Sequence, residues 1–102
     1  MPKRIAVDLD GTLCPEGPAH ERPYQPFFVE TRDLVNRAYD DGFDITVYSA
    51  RHWNELRSTE DWLRANGVCF HRVVLGKFPF DFILDDRSGN KPEDLRRYLE
   101  GQ

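Results

Sequence analysis

Four carboxylates, one hydroxyl and two cationic side chains stand in this sequence where they could do chemistry together. The densest group is Asp8-Leu9-Asp10-Gly11-Thr12-Leu13. On an extended strand, side chains two residues apart point the same way, so Asp8 and Asp10 face one site. Adjacent carboxylates repel, and such a pair calls for a bound cation or a shared proton. Gly11 permits the sharp turn that keeps both acids at the mouth of the site. Ser49, in Val47-Tyr48-Ser49-Ala50-Arg51, offers a hydroxyl to a phosphate oxygen, and the backbone amides from Ala50 onward could assist it. Lys77, beside Gly76, could neutralise phosphate charge. Phe82-Ile83-Leu84 runs directly into Asp85 and Asp86, oxygen ligands of the kind a hard cation takes. Taken singly, each has a plainer role: a turn decorated with acids, a helix cap, a solvated lysine. Arg51 is either an anion contact or the partner of a local carboxylate.

For these side chains to meet, each must end a strand of one sheet. Ile5, Ala6 and Val7 form a short apolar run within 3–9 and predict a buried strand leading to Asp8. Pro15, Gly17, Pro18, Pro23 and Pro26 then make 14–26 a loop or flap, because proline neither continues a helix nor joins a central ladder. Helical spacing of Phe28, Leu34, Val35, Ala38 and Tyr39 predicts a helix over 27–41, ended by Gly42. A second strand is expected over 43–48 and a second helix over 54–66. In that helix Ser58 and Asp61 could form an internal capping box that makes it start late. Third and fourth strands are expected over 68–75 and 82–84. Pro92, then Glu93 and Asp94, then Arg96 and Arg97 describe a last helix with correctly placed charges.

Strands alternating with helices predict an α/β fold. The expected form is a Rossmann-like three-layer sandwich with a short, mostly parallel sheet and helices on both faces. In open α/β sheets the site lies beyond the carboxyl ends of the strands, where all of these candidates fall. One connection strains the scheme. Only 76–81 separates the third and fourth strands, whereas a parallel crossover usually takes a dozen residues.

At 102 residues the chain fits one domain, 1–102. A net charge of -4 argues against general nucleic-acid binding, which needs a basic face, and suits a protein that gathers carboxylates around a cation. Three apolar residues before Asp8 make neither a signal peptide nor a membrane span. Two cysteines, Cys14 and Cys69, are too few for a disulfide scaffold, so a cytoplasmic protein with reduced thiols is expected.

The order Asp-x-Asp-Gly-Thr, strand-end Ser, Lys, strand-end Asp-Asp resembles the haloacid dehalogenase-like superfamily of phosphohydrolases. Tyr48-Ser49-Ala50-Arg51, Gly76-Lys77 and Ile83-Leu84-Asp85-Asp86-Arg87 are similar, more narrowly, to small capless members of capsule-biosynthesis phosphatase-like type. The resemblance implies a magnesium-dependent phosphatase acting on phosphate monoesters. Asp8 would be the nucleophile that forms an aspartyl-phosphate. Asp10 would protonate the leaving oxygen and later deprotonate the attacking water. Ser49 and Lys77, with Ala50 and Arg51 beside them, would hold the phosphoryl group. Mg²⁺ would be bound by Asp8, the backbone carbonyl of Asp10 and Asp85, with Asp86 acting through water. Without metal these acids would repel one another.

No cap domain fits between the motifs, and the fifth strand common in the superfamily is not expected. Capless members often take large substrates or borrow a neighbouring subunit as a lid, so a phosphorylated small or large substrate and a homo-oligomer both fit. Phosphotransfer to an alcohol is an alternative within the same superfamily. A non-catalytic, Mg²⁺-dependent phospho-ligand binding domain is another, although such a domain would be expected to lose Asp8 or Asp10. A phospho-receiver module would place a separate phosphorylated Asp near mid-chain, where Asp40, Asp41 and Asp44 do not end a strand.

Overall fold

The computed structural model describes residues 3–102. Three strands, β1 (Arg4–Val7), β2 (Asp44–Tyr48) and β3 (Arg72–Val74), form a parallel sheet in the order β1-β2-β3. Ile5 pairs with Ile45 and Val7 with Val47, which in turn pairs with Val73. Because side chains alternate across a strand, this register gathers the five apolar residues on one sheet face. Parallel neighbours need long crossovers, and the two connections carry α1 (Val29–Asp40) and α2 (Leu56–Ala65). Val35 of α1 and Trp62 and Leu63 of α2 join that face in one buried cluster, with Leu9, Leu13 and Cys14 from the turn after β1. The result is a small Rossmann-like α/β sandwich.

Local chemistry sets the element ends. The Phe28 amide donates to the Leu13 carbonyl at 2.7 Å, which keeps Phe28 extended and starts α1 two residues later than the spacing predicts. A 3-10 turn over Trp53–Glu55 precedes α2, so the late start is present, but the expected Ser58–Asp61 box is not its cause. His52 Nδ1 instead accepts the Asn54 amide at 3.2 Å, and Ser58 Oγ donates to the Glu55 carbonyl at 3.1 Å. The last helix, α3 (Pro92–Glu100), begins at Pro92 as predicted, with the Lys91 amide donating to Asp94 Oδ2 at 2.7 Å.

Two strand expectations need correction. The third strand, expected over 68–75, shrinks to Arg72–Val74. The Val68 amide is taken by the Leu63 carbonyl at the end of α2, and the Cys69 amide by Asn36 Oδ1, so neither serves a ladder. The expected strand over 82–84 does not form. The amides of Gly76 and Lys77 are pinned to the loop after β2, and the Ile83 carbonyl accepts Asn90 Nδ2 at 2.8 Å inside a local loop. The short connection that strained the scheme therefore leads to no fourth strand. The sheet face opposite the main cluster carries a groove lined by Arg4, Ala6, Thr46, Tyr48, Val74 and Arg87, among others. None of the α3 residues is buried; its Tyr98 ring meets Phe82 at 4.9 Å between centroids. No helix among the described residues is long and apolar enough to cross a membrane.

Candidate active site

The turn after β1 wraps around one carbonyl. Leu9 O accepts the amides of Thr12, Leu13 and Cys14 at 3.1, 2.8 and 3.2 Å, and the Gly11 amide donates to Cys14 O at 2.7 Å. Gly11 has φ +86°, a conformation that side chains with a Cβ rarely adopt. With Leu9 and Leu13 fully buried as anchors, the turn fixes Asp8 and Asp10 at the carboxyl edge of the sheet.

The loops after β2 and β3 are stitched to each other. The Ser49 amide donates to Val74 O at 3.0 Å, the Lys77 amide to Ser49 O at 3.0 Å and the Gly76 amide to Arg51 O at 2.9 Å. Gly76 has φ +79°, and a Cβ there would stand 2.7 Å from Trp53 Nε1, so the close approach depends on glycine. This stitching brings Lys77 Nζ to 3.7 Å from Asp8 Oδ1, with both side chains partly exposed. Ser49 is buried, and its Oγ accepts the Arg51 amide at 3.1 Å, leaving the hydroxyl proton as its one donor. Asp8, Asp10, Ser49, Ala50, Arg51 and Lys77 thus meet at one edge.

Of the two roles open to Arg51, the structure shows the carboxylate partner. Its Nε and Nη2 grip Asp10 Oδ2 and Oδ1 at 2.9 and 2.8 Å, and Nη1 donates to Thr59 Oγ1 at 3.0 Å. The Arg51 side chain is only 3% exposed. Burial pushes the Asp10 carboxyl up, but the Arg51 hydrogen bonds and charge, helped by Arg22 and Cys14, outweigh it and hold the group below its ordinary value. Burial, then the Asp10 charge, push the neighbouring Cys14 thiol up to about 11, so it stays protonated and unreactive.

Asp85 and Asp86 do not join this group. Both are exposed, and Asp85 Oδ1 accepts the Arg87 amide at 2.9 Å in a local turn. That hydrogen bond, with Asp86 beside it, lowers Asp85, while Asp85 raises Asp86. Among the described residues, no three His, Cys, Asp or Glu side chains stand close enough to hold a metal ion. Asp8 faces Lys77 and Asp10 faces Arg51, so the expected mutual repulsion of four acids gives way to two carboxylate–cation pairs. The described residues therefore do not fit Mg²⁺ in the way the resemblance implies.

The 14–26 flap carries a 3-10 turn over Ala19–Tyr24 and is tied down at two points. Arg22 Nη1 meets both Glu55 carboxylate oxygens at 2.7 Å, and Trp62 Nε1 donates to Gln25 O at 2.9 Å. Between flap and turn lies a cavity of roughly 540 Å³ lined by Asp10, Glu16, Gly17, Arg22, Ala50 and Arg51. In the sequence Arg22 and Glu16 stand within the 14–26 flap and Thr59 shares a helix face with Leu56 and Leu63, with nothing to mark any of them as part of the site. No spacing links positions 22 to 55 or 51 to 59, so only the folded chain reveals them.

No family model matches the chain, and no curated protein matches it. Among solved structures, a crystal structure of a structural-genomics target from Vibrio cholerae is similar, with a TM-score of 0.70 and 22% identity. The match covers 97% of this chain and 98% of that one. At that identity the likeness establishes the α/β fold.

Proposed function

We propose that the protein is a phosphohydrolase that cleaves phosphate monoesters through an aspartyl-phosphate on Asp8. The observation that carries this reading is the partly exposed Asp8 carboxylate at the end of β1, 3.7 Å from Lys77 Nζ, with Ser49 on the adjoining strand end. An ionised carboxylate needs no base to act as a nucleophile, but it must approach an anionic phosphate. Lys77 lowers that barrier by offsetting charge, and the Ser49 hydroxyl can donate to a phosphoryl oxygen. In the first step an Asp8 oxygen bonds to phosphorus, the ester P–O bond breaks and the leaving oxygen takes a proton. In the second, water attacks phosphorus, the bond to Asp8 breaks and the carboxylate is restored. Asp10, held ionised by Arg51, is suited to take the proton from that water. For Asp10 to protonate the leaving oxygen in the first step, the Arg51 fork must loosen and Asp10 must first take up a proton from solvent.

The test is phosphate release from p-nitrophenyl phosphate by wild type and Asp8→Asn, in chelator and in millimolar Mg²⁺. Asp8→Asn is nearly isosteric but a poor nucleophile, so kcat should fall by about a thousandfold or more. A folded variant that releases phosphate at the wild-type rate would refute the covalent mechanism. The two solution conditions measure metal dependence separately from the identity of the nucleophile.

A further inference from the structure

We infer that Tyr48 is a positioning residue for Lys77: its ring face holds the ammonium group where it meets Asp8. The inference rests on the phosphohydrolase reading for what the placed cation then does, and on geometry for the placement itself. Residues alternate along β2, and Ile45 and Val47 are buried in the main cluster, so Thr46 and Tyr48 turn to the opposite sheet face. Tyr48 is the last residue of that strand, is partly exposed and pairs in register with Val74 of β3. Just past β3, the Lys77 amide donates to Ser49 O at 3.0 Å, which turns the chain back over the end of β2. Lys77 Nζ then stands over the Tyr48 ring, 5.3 Å from its centre. That lies within the roughly 6 Å reach of a cation–π attraction.

The ring matters because the backbone alone does not aim this side chain. The bond to Ser49 O fixes Lys77 at its amide, but a flexible carbon stem separates the ammonium from the chain. Asp8 Oδ1 lies 3.7 Å from Nζ, longer than the roughly 2.8 Å of a charge-assisted hydrogen bond. It therefore attracts the ammonium without fixing its direction. Tyr48 supplies a second point of attraction. Its ring face draws a cation through the quadrupole, without the lone pair that would commit an N–H donor. A carboxylate or carbonyl in place of the ring would hold one of the ammonium's donors in a hydrogen bond. Steadied by a ring, the ammonium keeps its donors for the reaction. It can follow negative charge from the Asp8 carboxylate to a phosphoryl group as the bond to Asp8 forms. The attraction belongs to the ring face and not to the hydroxyl, so phenylalanine should serve there as well as tyrosine. Valine, which suits a strand equally but has no ring, should not.

Two measurements test this in wild type, Tyr48→Val and Tyr48→Phe. The first is the proton–carbon NMR signal of the Lys77 ε-methylene, which a ring current moves upfield when the group lies over an aromatic face. The chain has three lysines, Lys3, Lys77 and Lys91, so the signal lost in Lys77→Arg identifies it. In wild type and Tyr48→Phe the Lys77 signal should lie upfield of the other two, and in Tyr48→Val it should join them. A wild-type Lys77 signal level with those of Lys3 and Lys91 would overturn the inference, whether or not Tyr48→Val folds. So would an upfield shift that survives Tyr48→Val. The second measurement is kcat/KM for p-nitrophenyl phosphate. Tyr48→Val should lower it by about fivefold, the worth of a partly exposed cation–π contact, and Tyr48→Phe should restore it. An unchanged constant in folded Tyr48→Val, or equal losses in both variants, would overturn the role in turnover while leaving the hydrolase reading intact. A wild type that releases no phosphate would remove the hydrolase reading alone, and the Lys77 signal, which needs no turnover, would still decide the placement.

Discussion

Arg51 buries its charge in order to hold a carboxylate. Its fork on Asp10 is bidentate and is completed by Thr59, which is the geometry in which an arginine–carboxylate pair is strong. Removing one partner of a buried pair leaves the other uncompensated, at a cost of several kcal/mol. Asn can still accept one of the two bonds, so Asp10→Asn should cost about 2 kcal/mol at neutral pH, or about 10 °C in the midpoint for a domain of this length. The pH dependence has a definite sign. Because Asp10 is lowered in the folded state, its contribution is fully present above the ordinary carboxyl value and is lost as pH falls through the lowered one. Melting curves of wild type and variant from pH 7 down to pH 2 should therefore converge at the acid end. A gap that stays constant across the range would mean the pair adds nothing through its charge. The two acids of the motif are legible as a site because their spacing on a strand fixes their direction. The choice between the two roles of Arg51 was not legible, because it depends on a contact across 41 positions of sequence.

At the scale of elements, the flap is a loop made rigid by two distant contacts. Trp62 of α2 reaches Gln25 O through its indole N–H, and Trp62→Phe deletes that bond while keeping most of the packing. The cost should be about 1 kcal/mol, concentrated in the flap. Hydrogen exchange would read it as faster exchange at the Glu21 and Gln25 amides, which bond only within the flap, to Pro18 O and Arg22 O. Acceleration spread evenly over the molecule would show that the bond supports the core instead. The helices were legible from apolar spacing and glycine stops, since those signals are local. The strands were less so. An apolar run such as Phe82-Ile83-Leu84 has the composition of a strand, but pairing needs a neighbour within reach, and the pinned amides of Gly76 and Lys77 decide that.

At the scale of the molecule, the question is whether the segment after β3 belongs to the site. The motif order implies that Asp85 comes to the edge of β1. In the fold, the acids at that edge already face cations, and Asp85 is committed to the turn that ends at Ser88. If Asp85 did converge on Asp8, Mg²⁺ would bind the native constellation and not the unfolded chain. At a hundredfold excess over Kd it would then add about 2.7 kcal/mol, a rise of the order of 10 °C in the midpoint. The paired arrangement leads to a different expectation. Mg²⁺ at millimolar concentration should raise the midpoint by no more than about 2 °C, the size of effect expected from a weakly occupied or screened surface site. Asp85→Asn should leave the curves in chelator and in Mg²⁺ nearly unchanged, because an exposed turn residue contributes within about 0.5 kcal/mol. Lys77→Met should do the opposite and increase the metal response, since it frees the Asp8 carboxylate to meet a cation. The measurement is a set of six melting curves, three proteins in two solutions. A rise near 10 °C in wild type that disappears in Asp85→Asn would show that the metal draws residues 76–91 across to β1, and the charge pairs seen here would then describe the metal-free protein alone.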